Sequence, residues 1–143
     1  MPEAYISCAL SGESAHVLRA FYERIASLCE DMGFQAYVPH LHTDPGDTTD
    51  RSPRDIYLTD MARVRKSDVV IAYVGSPSVS VGMELQLAAQ NDIPVILLYE
   101  GDGRVSRFAL GLPCVVSHIQ FDDYDDALAH LRSVLDRWSA DRT

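Results

Sequence analysis

Five short apolar runs, separated by helical patterns, limit this chain to few folds. The runs cover residues 4–10, 34–38, 68–74, 93–99 and 114–121, and they read as near-continuous Val, Ile, Leu and Ala stretches. Strands buried on both faces have this composition, whereas strands with one wet face alternate apolar with polar residues. Between the runs lie helical patterns. In residues 13–32, Val17, Phe21, Ile25, Leu28 and Met32 recur at three- and four-residue spacing, and Gly33 follows as a stop. Ser52-Pro53 opens a second helix running to about Lys66, with Ser as cap and Pro at the first helical position. Further helices are expected over 82–90, near 106–110, and over 125–138, where Leu128, Leu131, Leu135 and Trp138 share a face.

Strand-helix alternation predicts an α/β fold with one doubly wound, five-stranded parallel sheet and helices on both faces. The expected strand order is 2-1-3-4-5 with right-handed crossovers, in the Rossmann-like or flavodoxin-like manner. At 143 residues the chain is expected to form a single domain spanning 1–143. Ligands of such sheets bind beyond the carboxyl ends of the strands at the switch point, here between strands one and three. The loops after Leu10 and Val74 both open there.

Composition removes several function classes. A formal net charge of −9 opposes general binding to nucleic acid or to an anionic membrane, which requires a basic surface. No run approaches the roughly 18 apolar residues of a membrane span, and the N-terminus lacks a signal-peptide pattern, so a cytoplasmic protein is expected. Cys8, Cys29 and Cys114 are odd in number and far apart, which fits reduced thiols rather than a disulfide framework or zinc cluster. His40 and His42, near Asp44 and Asp47, lack a paired ligand motif, and neither metal nor cofactor is expected. The arginine clusters, Arg51 to Arg65 and Arg104 with Arg107, read as solvated faces. The absence of G-x-S-x-G, Walker A and G-x-G-x-x-G patterns opposes a serine hydrolase, a P-loop NTPase and a standard dinucleotide dehydrogenase.

What remains is the segment Ser76-Pro77-Ser78-Val79-Ser80-Val81-Gly82-Met83-Glu84, directly after the third run. A Ser/Gly loop leading into a helix offers hydroxyls and free amides to an anion. Glu84 enters the same crevice, either as a first-turn carboxylate complementing the helix dipole or as a reacting group. Asp60 stands four residues from both Ile56 and Val64, on a stripe whose burial would raise its pKa toward that of a general acid, unless the stripe leaves it solvated. Tyr5 opens the first strand, and Ser7, Cys8 and Ser11 approach its carboxyl end.

Together, Asp60, Ser67-Asp68-Val69-Val70-Ile71-Ala72 and the segment from Pro77 to Glu84 resemble the nucleoside 2-deoxyribosyltransferase-like superfamily. The likeness is nearest to its 2′-deoxynucleoside 5′-monophosphate N-glycosidase branch. Gly103-Arg104-Val105-Ser106 is similar to a loop of that branch, and the likeness extends over essentially the whole chain. The resemblance implies that Glu84 is the nucleophile at the anomeric carbon and that Asp60 positions the sugar or delivers a proton to the base. Tyr5 would line the site. Ser78, the amides from Ser80 to Gly82, and Ser11 would hold the 5′-phosphate, and Ser106 would reach a neighbouring subunit's phosphate, which implies a homodimer or larger. This sequence departs from the family pattern at Cys8 and Ala9, where Gly and Ser are usual, at Ser80 for Gly, and at Met83 for an aromatic residue. A Cβ at position 8 is expected to narrow the crevice.

The expected activity is hydrolysis of the N-glycosidic bond of a (deoxy)nucleoside 5′-monophosphate. The competing readings are a nucleoside deoxyribosyltransferase, an NAD-type glycohydrolase, and a nucleotide-sensing module without turnover.

Overall fold

The computed structural model describes residues 1–9, 15–39, 51–101 and 105–142. In chain order the elements are β1 (Glu3–Ser7), α1 (Ala15–Asp31), β2 (Gln35–Tyr37), α2 (Pro53–Lys66), β3 (Val69–Tyr73), α3 (Val79–Gln90), β4 (Val95–Glu100), α4 (Arg107–Leu110), β5 (Val115–Phe121) and α5 (Tyr124–Asp141). The strands form one sheet in the order β2-β1-β3-β4-β5, every pairing parallel. This is the doubly wound arrangement that the alternating runs predict.

Side chains alternate across the sheet with the two-residue period of extended backbone. Ala4, Ile6, Val69, Ile71, Ile96, Leu98 and Ile119 face α1 and α5, whereas Tyr5, Val70, Ala72, Val95 and Leu97 face α2 and α3. Both layers are dry, which is why the strands read as unbroken apolar runs.

Caps fix the helix ends. Ser52 Oγ accepts from the Asp55 amide and Pro53 starts α2, as the sequence pattern requires. Gly33, at φ +89°, ends α1 in a conformation that a Cβ would strain. The α1 stripe is rotated from the expected one. Leu18, Tyr22 and Cys29 are buried beside Phe21, Ile25 and Leu28, while Val17 is 42% exposed, because α1 packs against both the sheet and α5.

The larger correction concerns α3. The expected start at Gly82 gives way to a start at Val79. The Ser78 side chain caps the helix, and Val81, Leu85 and Ala88 supply its buried stripe, so the turn before Gly82 already pays into packing. β1 is also shorter than its apolar run, ending at Ser7.

Candidate active site

β1 and α3 meet at Glu84. Tyr5 and Ser7 are two residues apart and therefore project from the same sheet face, toward α3. Tyr5 donates its phenol proton to Glu84 Oε2, and Ser7 donates its hydroxyl to Oε1 at 2.8 Å. Both donors are fully buried, so neither oxygen competes with bulk water for them. Burial pushes the Glu84 carboxyl up to about 7; the Tyr5 and Ser7 hydrogen bonds oppose that rise, and the negative charge of Asp60 adds to it. The Tyr5 phenol is itself held far above its ordinary value, first by burial and then by Glu84, so it remains a donor at any working pH.

Asp60 approaches from α2. It stands one turn from half-buried Ile56 and from fully buried Val64, at the margin of the buried stripe. Behind it lies Tyr37 of β2, whose phenol is raised by burial and then by Asp60, with Arg63 and Arg51 opposing. The Tyr37 ring stacks on Tyr5 at 5.6 Å between centroids, and the Arg63 guanidinium sits over the Tyr37 ring, 4.8 Å from its centroid. A wall of two stacked phenols thus joins Asp60 to Glu84. In front of the two carboxylates, a cleft of about 600 Å³ opens between α2 and α3, lined by Ile56, Tyr57, Met61 and Met83 as well as Ser80.

The predicted residues do not gather in one pocket. Ser80 shares the Glu84 cleft, but Ser78, Gly82 and Ser106 line a second cleft of about 850 Å³ on the other side of α3. Glu84 lies in the second turn of its helix rather than the first, which weakens a macrodipole role. Two amides expected to cradle an anion are taken: Val81 donates to Ser78 Oγ at 3.2 Å, and Gly82 donates to the Ser78 carbonyl at 3.2 Å. The first two amides of the helix, Val79 and Ser80, have no helical acceptor. Ser106 caps α4, accepting from Ala109 at 3.3 Å. Cys8 does not narrow the Glu84 cleft: its side chain packs into the α1 and α5 core, its thiol donating to the Ile6 carbonyl at 3.6 Å. Ser11, His40, His42, Asp44, Asp47, Gly103 and Arg104 lie outside the described residues.

The sequence pattern places Ser7 only near the carboxyl end of the first strand, and it does not single out Tyr37. Period-two alternation places Ser7 beside Tyr5, and the parallel register pairs Tyr5 with Tyr37 across β1 and β2. Both relationships need the strand bounds before they can be drawn.

The sequence model of the nucleoside 2-deoxyribosyltransferase family matches residues 5–128, from Tyr5 through Asp60 and Glu84 and beyond β5. The chain belongs to that family. Among family relatives, a Methanosarcina barkeri protein provisionally named 2′-deoxynucleoside 5′-phosphate N-hydrolase 1 is 32% identical over 114 residues, 78% of this chain and 70% of its own. A Methanosarcina mazei protein of the same provisional name is 30% identical over 117 residues, 80% of this chain and 71% of its own. The fold is that of the CMP N-glycosidase BcmB from Clostridium botulinum, at TM-score 0.70 and 17% identity over 90% of this chain and 96% of that one. The 2-deoxyribosyltransferase of Bacillus psychrosaccharolyticus shares the fold at TM-score 0.67 and 15% identity, over 88% and 90% of the two chains. No helix among the described residues of this nucleoside 2-deoxyribosyltransferase family member is long and apolar enough to cross a membrane.

Proposed function

We propose that this protein hydrolyses the N-glycosidic bond of a nucleoside 5′-monophosphate, with Glu84 as nucleophile. The observation that carries the reading is the Glu84 carboxylate held between Tyr5 and Ser7 at the mouth of a cleft that also contains Asp60. The names of the Methanosarcina relatives and of the Clostridium botulinum enzyme support the same reaction class.

In the first step a Glu84 oxygen attacks the anomeric carbon. The C–N bond breaks, its electron pair leaves with the base, and Asp60 supplies or relays the proton that the base takes up. The result is a glycosyl ester on Glu84. Water then attacks the anomeric carbon, giving a proton to Asp60 in place of the one the base took, and the ester bond breaks, returning the carboxylate and releasing the sugar phosphate. Tyr5 and Ser7 orient the attacking oxygens and accept the return of charge on the carboxylate as the ester is cleaved. The apolar walls of the cleft, Tyr57, Met61 and Met83, suit the planar base.

The nucleotide lies across the first turn of α3 in this reading. Its phosphate meets the Ser78 hydroxyl and the unpaired Val79 and Ser80 amides, where the helix dipole favours an anion. Ser106 meets the phosphate of a neighbouring copy in a homodimer, whose interface would cover Phe108 and Val79, 88% and 82% exposed in the single chain. A cytoplasmic setting suits the three free thiols.

The test is base release, followed by chromatography, from ribo- and deoxyribonucleoside 5′-monophosphates, the free nucleosides and NAD. Release from a monophosphate that disappears in Glu84→Ala supports the reading. Release from NAD or free nucleosides alone, or none with nucleotide still bound, overturns it in favour of a glycohydrolase, a transferase or a sensor.

A further inference from the structure

On the opposite face of the sheet, away from Glu84, Tyr73 and Glu100 form a second, half-buried polar pair. Tyr73 is the last residue of β3 and Glu100 the last of the neighbouring β4, and both are of the parity that faces α1 and α5. The Tyr73 phenol donates to Glu100 Oε2 at 2.7 Å. Its ring is 4% exposed, edge-on to Phe21 at 6.5 Å and tilted against Tyr22 at 6.1 Å. The ring also folds back over the chain that follows. A Cβ on Gly75 would lie 2.3 Å from the Tyr73 hydroxyl oxygen and 2.5 Å from the ring carbon bearing it. A side chain at this position would have to displace the packed Tyr73 ring, so glycine is called for by space rather than by backbone angle. Burial and then the Glu100 hydrogen bond hold the Tyr73 phenol above its ordinary value, and the Ser76 hydroxyl near the same oxygen opposes part of that rise.

Gly75 and Ser76 are the link from β3 to Ser78, which caps α3 and lines the second cleft together with Ser76. We infer that Tyr73, anchored on Glu100 and pressed against Gly75, is a positioning residue that fixes the β3–α3 link and thereby the Ser78 hydroxyl that meets the substrate's phosphate. The phosphate assignment rests on the function proposed above; the fixing of the link does not. Glu84 hangs from Tyr5 and Ser7 on the other sheet face, so the phenol–carboxylate pair acts on phosphate capture and leaves the chemical step alone.

The experiment compares wild type with Tyr73→Phe, which keeps the ring and removes the hydroxyl, and with Glu100→Gln, which keeps an acceptor for it. Kinetics are measured with the monophosphate that is turned over and with its free nucleoside. Tyr73→Phe is expected to raise KM for the monophosphate about tenfold, the loss of roughly one hydrogen bond to a charged group, with kcat and the nucleoside KM nearly unchanged. Glu100→Gln should behave as wild type. Hydrogen exchange of the amides from Gly75 to Val81 is followed in the same three proteins and should quicken in Tyr73→Phe alone. An equal fall in kcat for both substrates, or unchanged exchange in Tyr73→Phe, overturns the inference. If wild type releases no base, the proposed function fails, and the exchange data still decide whether Tyr73 fixes the link.

Discussion

Tyr5 and Ser7, two residues apart on β1, donate to opposite oxygens of the same carboxylate, Glu84, on a helix that begins more than seventy residues later. The pairing joins the first strand to the third helix across the switch point of the sheet, and it turns a buried acid into an oriented one. A carboxylate that burial alone would hold protonated is kept within reach of ionisation at neutral pH by two donors.

Removing the stronger donor should move the titration. Tyr5→Phe keeps the ring stacked on Tyr37 but removes the hydrogen bond that most lowers the Glu84 pKa. The acid limb of the pH–rate profile should shift upward, and activity at pH 7 should fall about 10- to 100-fold, the size expected for a hydrogen bond to a charged group. An unmoved acid limb would separate Tyr5 from the ionisation of Glu84.

Ser7→Ala should act in the same direction and more weakly, because its hydrogen bond ranks below that of Tyr5. A loss of about tenfold in kcat/KM is expected, recovered in part as pH rises and Glu84 ionises without help. Kinetics at two pH values check it.

Glu84 should also cost stability where it is ionised. Its pKa in the folded protein, about 7, lies above the ordinary 4.5, so the folded state holds the proton more tightly than the unfolded chain. Stability from this group is therefore greatest below pH 4.5, falls as pH rises, and reaches its floor above pH 7. Between those limits the change amounts to at most about 3 kcal/mol. Glu84→Gln removes the titration, so its stability relative to wild type should improve from pH 5 to pH 8. Urea unfolding at both pH values measures this, and a pH-independent difference would contradict it.

Ser78 has a structural duty and a proposed binding duty, and two variants separate them. Ser78→Ala removes the cap of α3 and should lower stability by about 1 kcal/mol. Ser78→Asp supplies another capping oxygen and should restore that stability, but its charge opposes a phosphate. The aspartate variant should therefore fold as wild type and show a sharply raised KM for the monophosphate. An unchanged KM would leave Ser78 as a cap alone.

Much of this was legible in the sequence because burial leaves a pattern. Apolar runs on both faces announced the parallel sheet and its switch point, and Ser52-Pro53 and Gly33 marked helix ends by local chemistry. Residue pattern singled out Tyr5, Asp60 and Glu84 and family likeness implied their roles, and the fold brings them to one place. The start of α3 was not legible, since Ser-Val-Ser-Val satisfies a loop and a helix equally until Ser78 is seen capping it and Val81 is seen packing. That shift of one turn also divides the serines between two clefts. Ser7, Tyr37 and the Tyr73–Glu100 pair depend on strand register and on which sheet face a residue takes, and neither is written in local composition.

The central claim is that Glu84 becomes covalently attached to the sugar. Wild type, acid-quenched during turnover of its monophosphate and digested, should yield a Glu84-containing peptide heavier by one sugar-phosphate residue, absent from Glu84→Gln. Continued base release by Glu84→Gln at the wild-type rate, with no modified peptide in either protein, would contradict the account.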